Sequence, residues 1–217
     1  MNNIFHLKHK LIQLANLDTD CEIFGSELHQ YKIHPCLSSV QIQLFEQKYN
    51  TLLPNDYRNF LLEIGNGGAG PGYGLIGIGS ESEFIEVIQP KDSNFFAKSF
   101  PLKSSWNDLD VMVKSKGSIT VSIDEYLDDK FIQGTVPIAH YSSGIFARLV
   151  LTGEQRGNIW VDERSNCGGI YPFTIQSCSY FHDNPDDFHF HDIGEPLSFY
   201  NWYNDWLNRS LAQVLQS

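Results

Sequence analysis

The chain is short of several things, and each shortage removes a class of protein. Its four cysteines, Cys21, Cys36, Cys167 and Cys178, stand far apart with no C-x-x-C pair, so zinc-ribbon and thiol-exchange motifs are excluded and ordinary reduced thiols are expected. Basic residues number 15 against 26 acidic ones, for a formal charge of −11. That balance repels phosphate backbones and anionic lipid, so neither nucleic acid nor a membrane surface is an expected partner. No apolar run reaches the length of a membrane span. The first eighteen residues, MNNIFHLKHKLIQLANLD, break their apolar positions with Lys8, His9 and Lys10 and carry no small-residue cleavage site. A cytoplasmic protein is therefore expected. Charged residues are only 19% of the 217, while hydrophobic residues are 41% and aromatics 13%, the balance of a chain that folds alone around one substantial core.

Periodicity then supplies the elements. Ile4, Leu7, Leu11 and Leu14 predict an amphipathic helix over residues 3–17. Ser38 and Gln41 have capping-box spacing ahead of a second helix, with Val40, Leu44 and Phe45 as its apolar side. Pro54 and Asp56 start a third, whose face is Tyr57, Phe60, Leu61 and Ile64, and Gly65 is expected to end it in the left-handed conformation. Strands are expected at 75–78, 84–88, 118–123, 136–139, 145–151 and 158–161, with 152–157 as a hairpin loop. Ser198 caps a closing helix on which Phe199, Trp202, Tyr203, Trp206 and Leu207 form one buried stripe.

Few residues offer chemistry. Gly65 to Gly70 and Gly72 to Gly77 each match G-x-G-x-x-G, but a helix precedes them and strands follow, the reverse of what a dinucleotide site needs. Ser142-Ser143-Gly144 lacks a nucleophile elbow. The sharpest concentration of potential ligands is 182–192, where His189 and His191 would share one face of a strand and His182 or a carboxylate could complete a set for a metal-dependent hydrolase. Loops rich in Asp, Asn and His are also common solvated turns.

Three blocks carry a resemblance. The first is Leu53-Pro54-Asn55-Asp56-Tyr57-Arg58-Asn59-Phe60-Leu61-Leu62 followed by Asn66-Gly67-Gly68, with Phe45-Glu46 and Tyr49 upstream. The second runs from Val136-Pro137-Ile138-Ala139 through Trp160-Val161-Asp162-Glu163-Arg164 to Gly168-Gly169-Ile170-Tyr171-Pro172, and the third is 199–207. In this order they resemble the SMI1/KNR4 (SUKH) superfamily. The likeness departs at His140 to Gly144, where the family often has an acidic residue, and in the His/Asp-rich stretch.

The resemblance implies an α+β fold: a central, mostly antiparallel sheet of five to six strands flanked by helices. Residues 1–35 would form an N-terminal helix and connecting segment, and 36–217 the SMI1/KNR4-like domain. It also implies no catalytic residues, no cofactor and no metal, but a protein that binds proteins. The bacterial relatives commonly neutralise toxins, nucleases among them, whereas the fungal ones resemble regulatory scaffolds. A cognate toxin, basic enough to be steered by the acidic excess, is the expected partner, although acidity also serves solubility alone. Its expected contacts are two acidic segments: Asp124, Glu125, Asp128 and Asp129, and then Asp183, Asp186, Asp187, Phe188 and Asp192. Tyr126, Phe188 and Phe190 are the candidate aromatic anchors.

Overall fold

A computed structural model describes residues 4–79, 92, 94–108, 123–142, 144–177 and 194–216. The expected strand at 84–88, most of that at 118–123, and the whole His/Asp-rich stretch lie outside the described residues.

Helix α1 (Ile4–Leu17) buries the four apolar residues that its spacing singles out. After the short α2 (Ser26–His29) come α3 (Ser39–Lys48) and α4 (Asn55–Glu63). The Ser38–Gln41 capping box forms in full. The apolar face of α3 is not the one expected, however. Ile42, Phe45 and Tyr49 are buried, while Val40 and Leu44 are exposed. The core side is set by i, i+3 and i+7 counted from Ile42, because Phe45 and Tyr49 meet Phe96 at 6.1 and 4.9 Å between ring centroids.

Gly65 follows α4 as expected but for another reason. It does not adopt a positive φ; an added Cβ there would lie 2.0 Å from Ile33 and 2.3 Å from the His34 carbonyl oxygen. Close approach, not handedness, requires the glycine. The positive-φ residues in this block are Gly67 and Gly68, at φ +96 and +97.

Four antiparallel strands form the sheet in the order β1 (Thr135–Ser142), β2 (Ile145–Val150), β3 (Ile159–Asp162) and β4 (Ile170–Pro172). The expected five to six strands are four among the described residues. Leu75–Ile78 is reduced to single bridges, and Ile123 opens the helical turn α5 (Ile123–Tyr126). The sheet nonetheless continues sideways through isolated antiparallel bridges, Ala139 to Leu75, Leu75 to Gly68 and Gly68 to Ile33 on one side, Ile170 to Trp106 on the other. Glycines make the narrow side possible. A Cβ on Gly68 would sit 2.3 Å from the Lys32 carbonyl oxygen, and the Asn66 side chain holds both the N–H and the C=O of Ile78 at 2.9 Å, closing the loop between them.

The register divides the sheet into two faces. Ala147 pairs with Val161 and Leu149 with Ile159; Arg148 pairs with Trp160 and Phe146 with Asp162. Phe173, two residues past Tyr171 and so on the Val161 face, meets Trp202 of the closing helix α6 (Phe199–Val214) at 6.0 Å. Helices α1, α4 and α6 pack against one another as a layer. Phe199, Trp202, Tyr203, Trp206 and Leu207 are all buried, as expected, and Ser198 caps the helix through the Asn201 N–H. Among the described residues no helix is long and apolar enough to cross a membrane.

Candidate partner-binding surface

The opposite face carries a buried charge network that holds the first acidic segment in place. Arg148 and Asp162 project from neighbouring strands, and Arg164 follows β3 in a single 3₁₀ turn; exposures are 3%, 8% and 6%. Arg164 grips the Asp162 carboxylate with two N–H groups, at 2.8 and 3.0 Å. The Arg148 guanidinium lies 3.8 Å from that carboxylate and donates to Thr135 Oγ1 at 2.8 Å. Burial alone would raise the Asp162 carboxyl, but the hydrogen bonds and charge of Arg164, joined by Arg148, hold it below the ordinary value. Burial lowers Arg148 to about 10, against the pull of Asp162. It stays protonated at neutral pH.

The third Arg164 nitrogen reaches the acidic segment itself. Its Nη1 donates to the carbonyl oxygens of Asp128, at 2.9 Å, and Tyr126, at 3.4 Å. Tyr126 is fully buried, stacked on Trp106 at 5.1 Å, with its hydroxyl on Asn107 at 2.6 Å. Burial pushes that hydroxyl up to about 12. Tyr126 is thus not an anchor for a partner but the rivet that fastens the segment to the core.

Asp124, Glu125 and Asp129 are exposed around this rivet, with Leu127 beside them. Asp128 is half-buried: its carboxylate accepts from the Lys130 N–H and lies 3.5 Å from the Lys130 ammonium. Three of the four expected acidic contacts therefore project from a fixed turn, and the fourth shapes the turn. The second group, Asp183, Asp186, Asp187, Phe188 and Asp192, lies outside the described residues, as do His182, His189, Phe190 and His191. Among the described residues no three His, Cys, Asp or Glu side chains converge on a metal-sized site. Cys21, Cys36 and Cys167 are free thiols.

The sequence reading missed the arginines. The signal was present: Arg148 interrupts the apolar run 145–151, and Asp162 to Arg164 end another. A charge inside a strand that reads as buried demands a buried counter-charge, and the two runs pair with each other. Glu163 is equally buried. Burial raises its carboxyl, against a 2.8 Å hydrogen bond from the Tyr171 hydroxyl.

Asp56 and Glu46, from the first sequence block, serve the scaffold. Asp56 accepts the Tyr57 N–H at 2.9 Å and, from the far end of the chain, the Tyr200 N–H at 3.0 Å. Glu46 accepts the Leu53 N–H at 3.0 Å. These residues build the fold.

Comparison with curated proteins and with solved structures returned no match. Comparison with family models did: residues 36–209, most of the chain and all three sequence blocks up to the closing helix, match the model described as SMI1 / KNR4 family (SUKH-1), and the chain belongs to that family.

Proposed function

We propose that this protein is an immunity protein, which neutralises a cognate toxin by binding it directly, one to one and without turnover. Family membership supports protein binding in general. The observation that carries the finer reading is the acidic turn, whose exposed Asp124, Glu125 and Asp129 stand on a backbone fixed by buried Arg164 and Tyr126. Such a surface meets a basic partner with little ordering cost, and its charge speeds the encounter. A nuclease toxin fits best, since its own surface must be cationic to hold phosphate.

The test is to look beside this gene for an encoded toxin domain and to measure its binding and inhibition by this protein. Saturable inhibition at one equivalent is expected, with association slowing by about tenfold or more between low and physiological salt. The triple change Asp124→Asn, Glu125→Gln, Asp129→Asn should flatten that salt dependence and leave the fold intact. A neighbouring toxin domain that neither binds nor is inhibited would overturn the proposal.

A further inference from the structure

We propose that the cleft between the loop after α1 and the closing helix is an anchor site for one bulky apolar side chain carried on a basic peptide segment of a protein partner. This names a contact point for the binding role above and rests on it only for the partner's being a protein.

The cleft has an empty volume of about 370 Å³ and apolar walls of Ile23, Phe24, Tyr141, Phe173, Trp202 and Trp206. Only about 30 Å³ of that space, which otherwise runs into open solvent, admits the centre of a water molecule, far below the roughly 300–1,000 Å³ of ligand clefts, so the cleft suits one side chain and not a cofactor. Beyond the mouth the apolar surface continues as half-buried rings, Phe24 to Tyr73 at 5.3 Å and Tyr73 to His140 at 5.6 Å. Aromatic clusters around a pocket are where interface energy concentrates.

The first wall is held rigid. Asp18 accepts the N–H groups of Glu22 at 2.8 Å and Ile23 at 3.2 Å, the Ser26 hydroxyl at 3.4 Å and the Tyr31 hydroxyl, which fixes Ile23 and Phe24. Gly25 then lies against the Gly72 carbonyl oxygen so closely that a Cβ would be 2.0 Å from it. The loop after α1 is thus locked to the glycine-rich segment that also lines the cleft, so this bank is preformed.

The charge of the banks selects the occupant. Asp20, Glu22 and Glu27 are exposed on the segment that carries Ile23 and Phe24, and none of them is in an ion pair among the described residues. On the other bank Asp205 and Arg209 both line the cleft and pair with each other at 2.6 Å, and Arg209 also donates to the Ile175 carbonyl oxygen at 3.3 Å. Asp205 and Arg209 offset each other, so the three carboxylates of the first bank, together with a net charge of −11, favour a segment with lysine or arginine beside its apolar residue.

Four tryptophans give the readout: Trp202 and Trp206 line the cleft, and Trp106 and Trp160 pack elsewhere as controls. The indole N–H signals of the full, ¹⁵N-labelled chain would be followed by NMR against three capped peptides, Lys-Phe-Lys-Lys, Glu-Phe-Glu-Glu and Lys-Gly-Lys-Lys. Saturable shifts of Trp202 and Trp206 with the first, and binding at least about tenfold weaker for the other two, are expected. In Glu22→Gln/Glu27→Gln the preference for Lys-Phe-Lys-Lys should shrink, while the unchanged Trp160 signal reports an intact fold. No shift with Lys-Phe-Lys-Lys overturns the proposal. So do equal shifts with Glu-Phe-Glu-Glu, which mark a site for small apolar molecules, and peptide-independent shifts that grow with protein concentration, which mark a second copy. The peptides contain no toxin, so this result and toxin neutralisation fail or stand separately.

Discussion

Arg164 does more for the candidate surface than any acidic residue in it. One guanidinium satisfies a buried carboxylate and two backbone carbonyls of the acidic turn. Arg164→Met keeps much of the volume but strands Asp162 beside Arg148 alone and leaves the Tyr126 and Asp128 carbonyls without that donor. Breaking a buried pair in this way costs about 3–5 kcal/mol, so urea unfolding should show a large fall in midpoint. Asp124→Asn, an exposed change, should leave the midpoint within about 0.5 kcal/mol. If Arg164→Met unfolds like the wild type, the network does not hold the turn. At this scale the sequence was half legible. The acidic residues were visible as a run of like charge, but their anchor lies 36 residues downstream of Asp128, and no local period connects the two. The same limit hid the role of Tyr126: an aromatic among exposed acids reads as an anchor until the stacked Trp106 is seen beneath it.

Elements were most legible where the apolar period is unambiguous, as in α1, α4 and α6, and least where one residue does the work of a strand. Leu75, Gly68, Ile33 and Trp106 each extend the sheet by a single bridge, too short to leave an alternating pattern. The β4 strand of three residues was missed for the same reason. On α3 the sequence offers apolar residues on two sides, and only the ring contacts of Phe45 and Tyr49 with Phe96 decide between them. Asp56 shows what spacing cannot reveal, since it caps its own helix region and also the first turn of α6, 144 residues away. Ser198 covers a different donor on that turn, Asn201. Ser198→Ala should therefore cost about 1 kcal/mol, as a single cap does, and Asp56→Ala about 2 kcal/mol, because it frees the ends of two packed helices. Urea midpoints of the two variants check the order. A smaller loss for Asp56→Ala would mean that the α4–α6 junction is held by the packing of Tyr57 and Phe60 on Phe199 alone.

For the whole molecule, acidity and stability pull in different directions as pH falls. The charge of −11 implies self-repulsion that acid relieves, but exposed carboxylates titrate near pH 4, so this relief comes late. An earlier effect comes from His29, buried between Tyr31 and Trp206 at 5.3 and 6.1 Å, with Nδ1 accepting the Tyr31 N–H at 3.1 Å. Burial pushes its pKa down from 6.5 to about 4, against the opposing influence of the nearby Gly70 backbone and the charges of Glu27 and Asp18. The unfolded chain thus takes up this proton first. The stabilising effect of a neutral His29 is fully present above pH 6.5 and is lost as pH falls toward 4. By pH 5 the loss is about 2 kcal/mol. His140, also lowered by burial, acts with the same sign. Asp162, held below the ordinary carboxylate range, adds a loss only at lower pH. Urea unfolding at pH 7 and pH 5 should therefore show a lower midpoint in acid despite the smaller net charge. His29→Asn, which keeps an acceptor near the position of Nδ1, should flatten most of that difference. A wild-type midpoint that rises between pH 7 and pH 5 would mean that surface repulsion outweighs the buried histidine even before the carboxylates titrate.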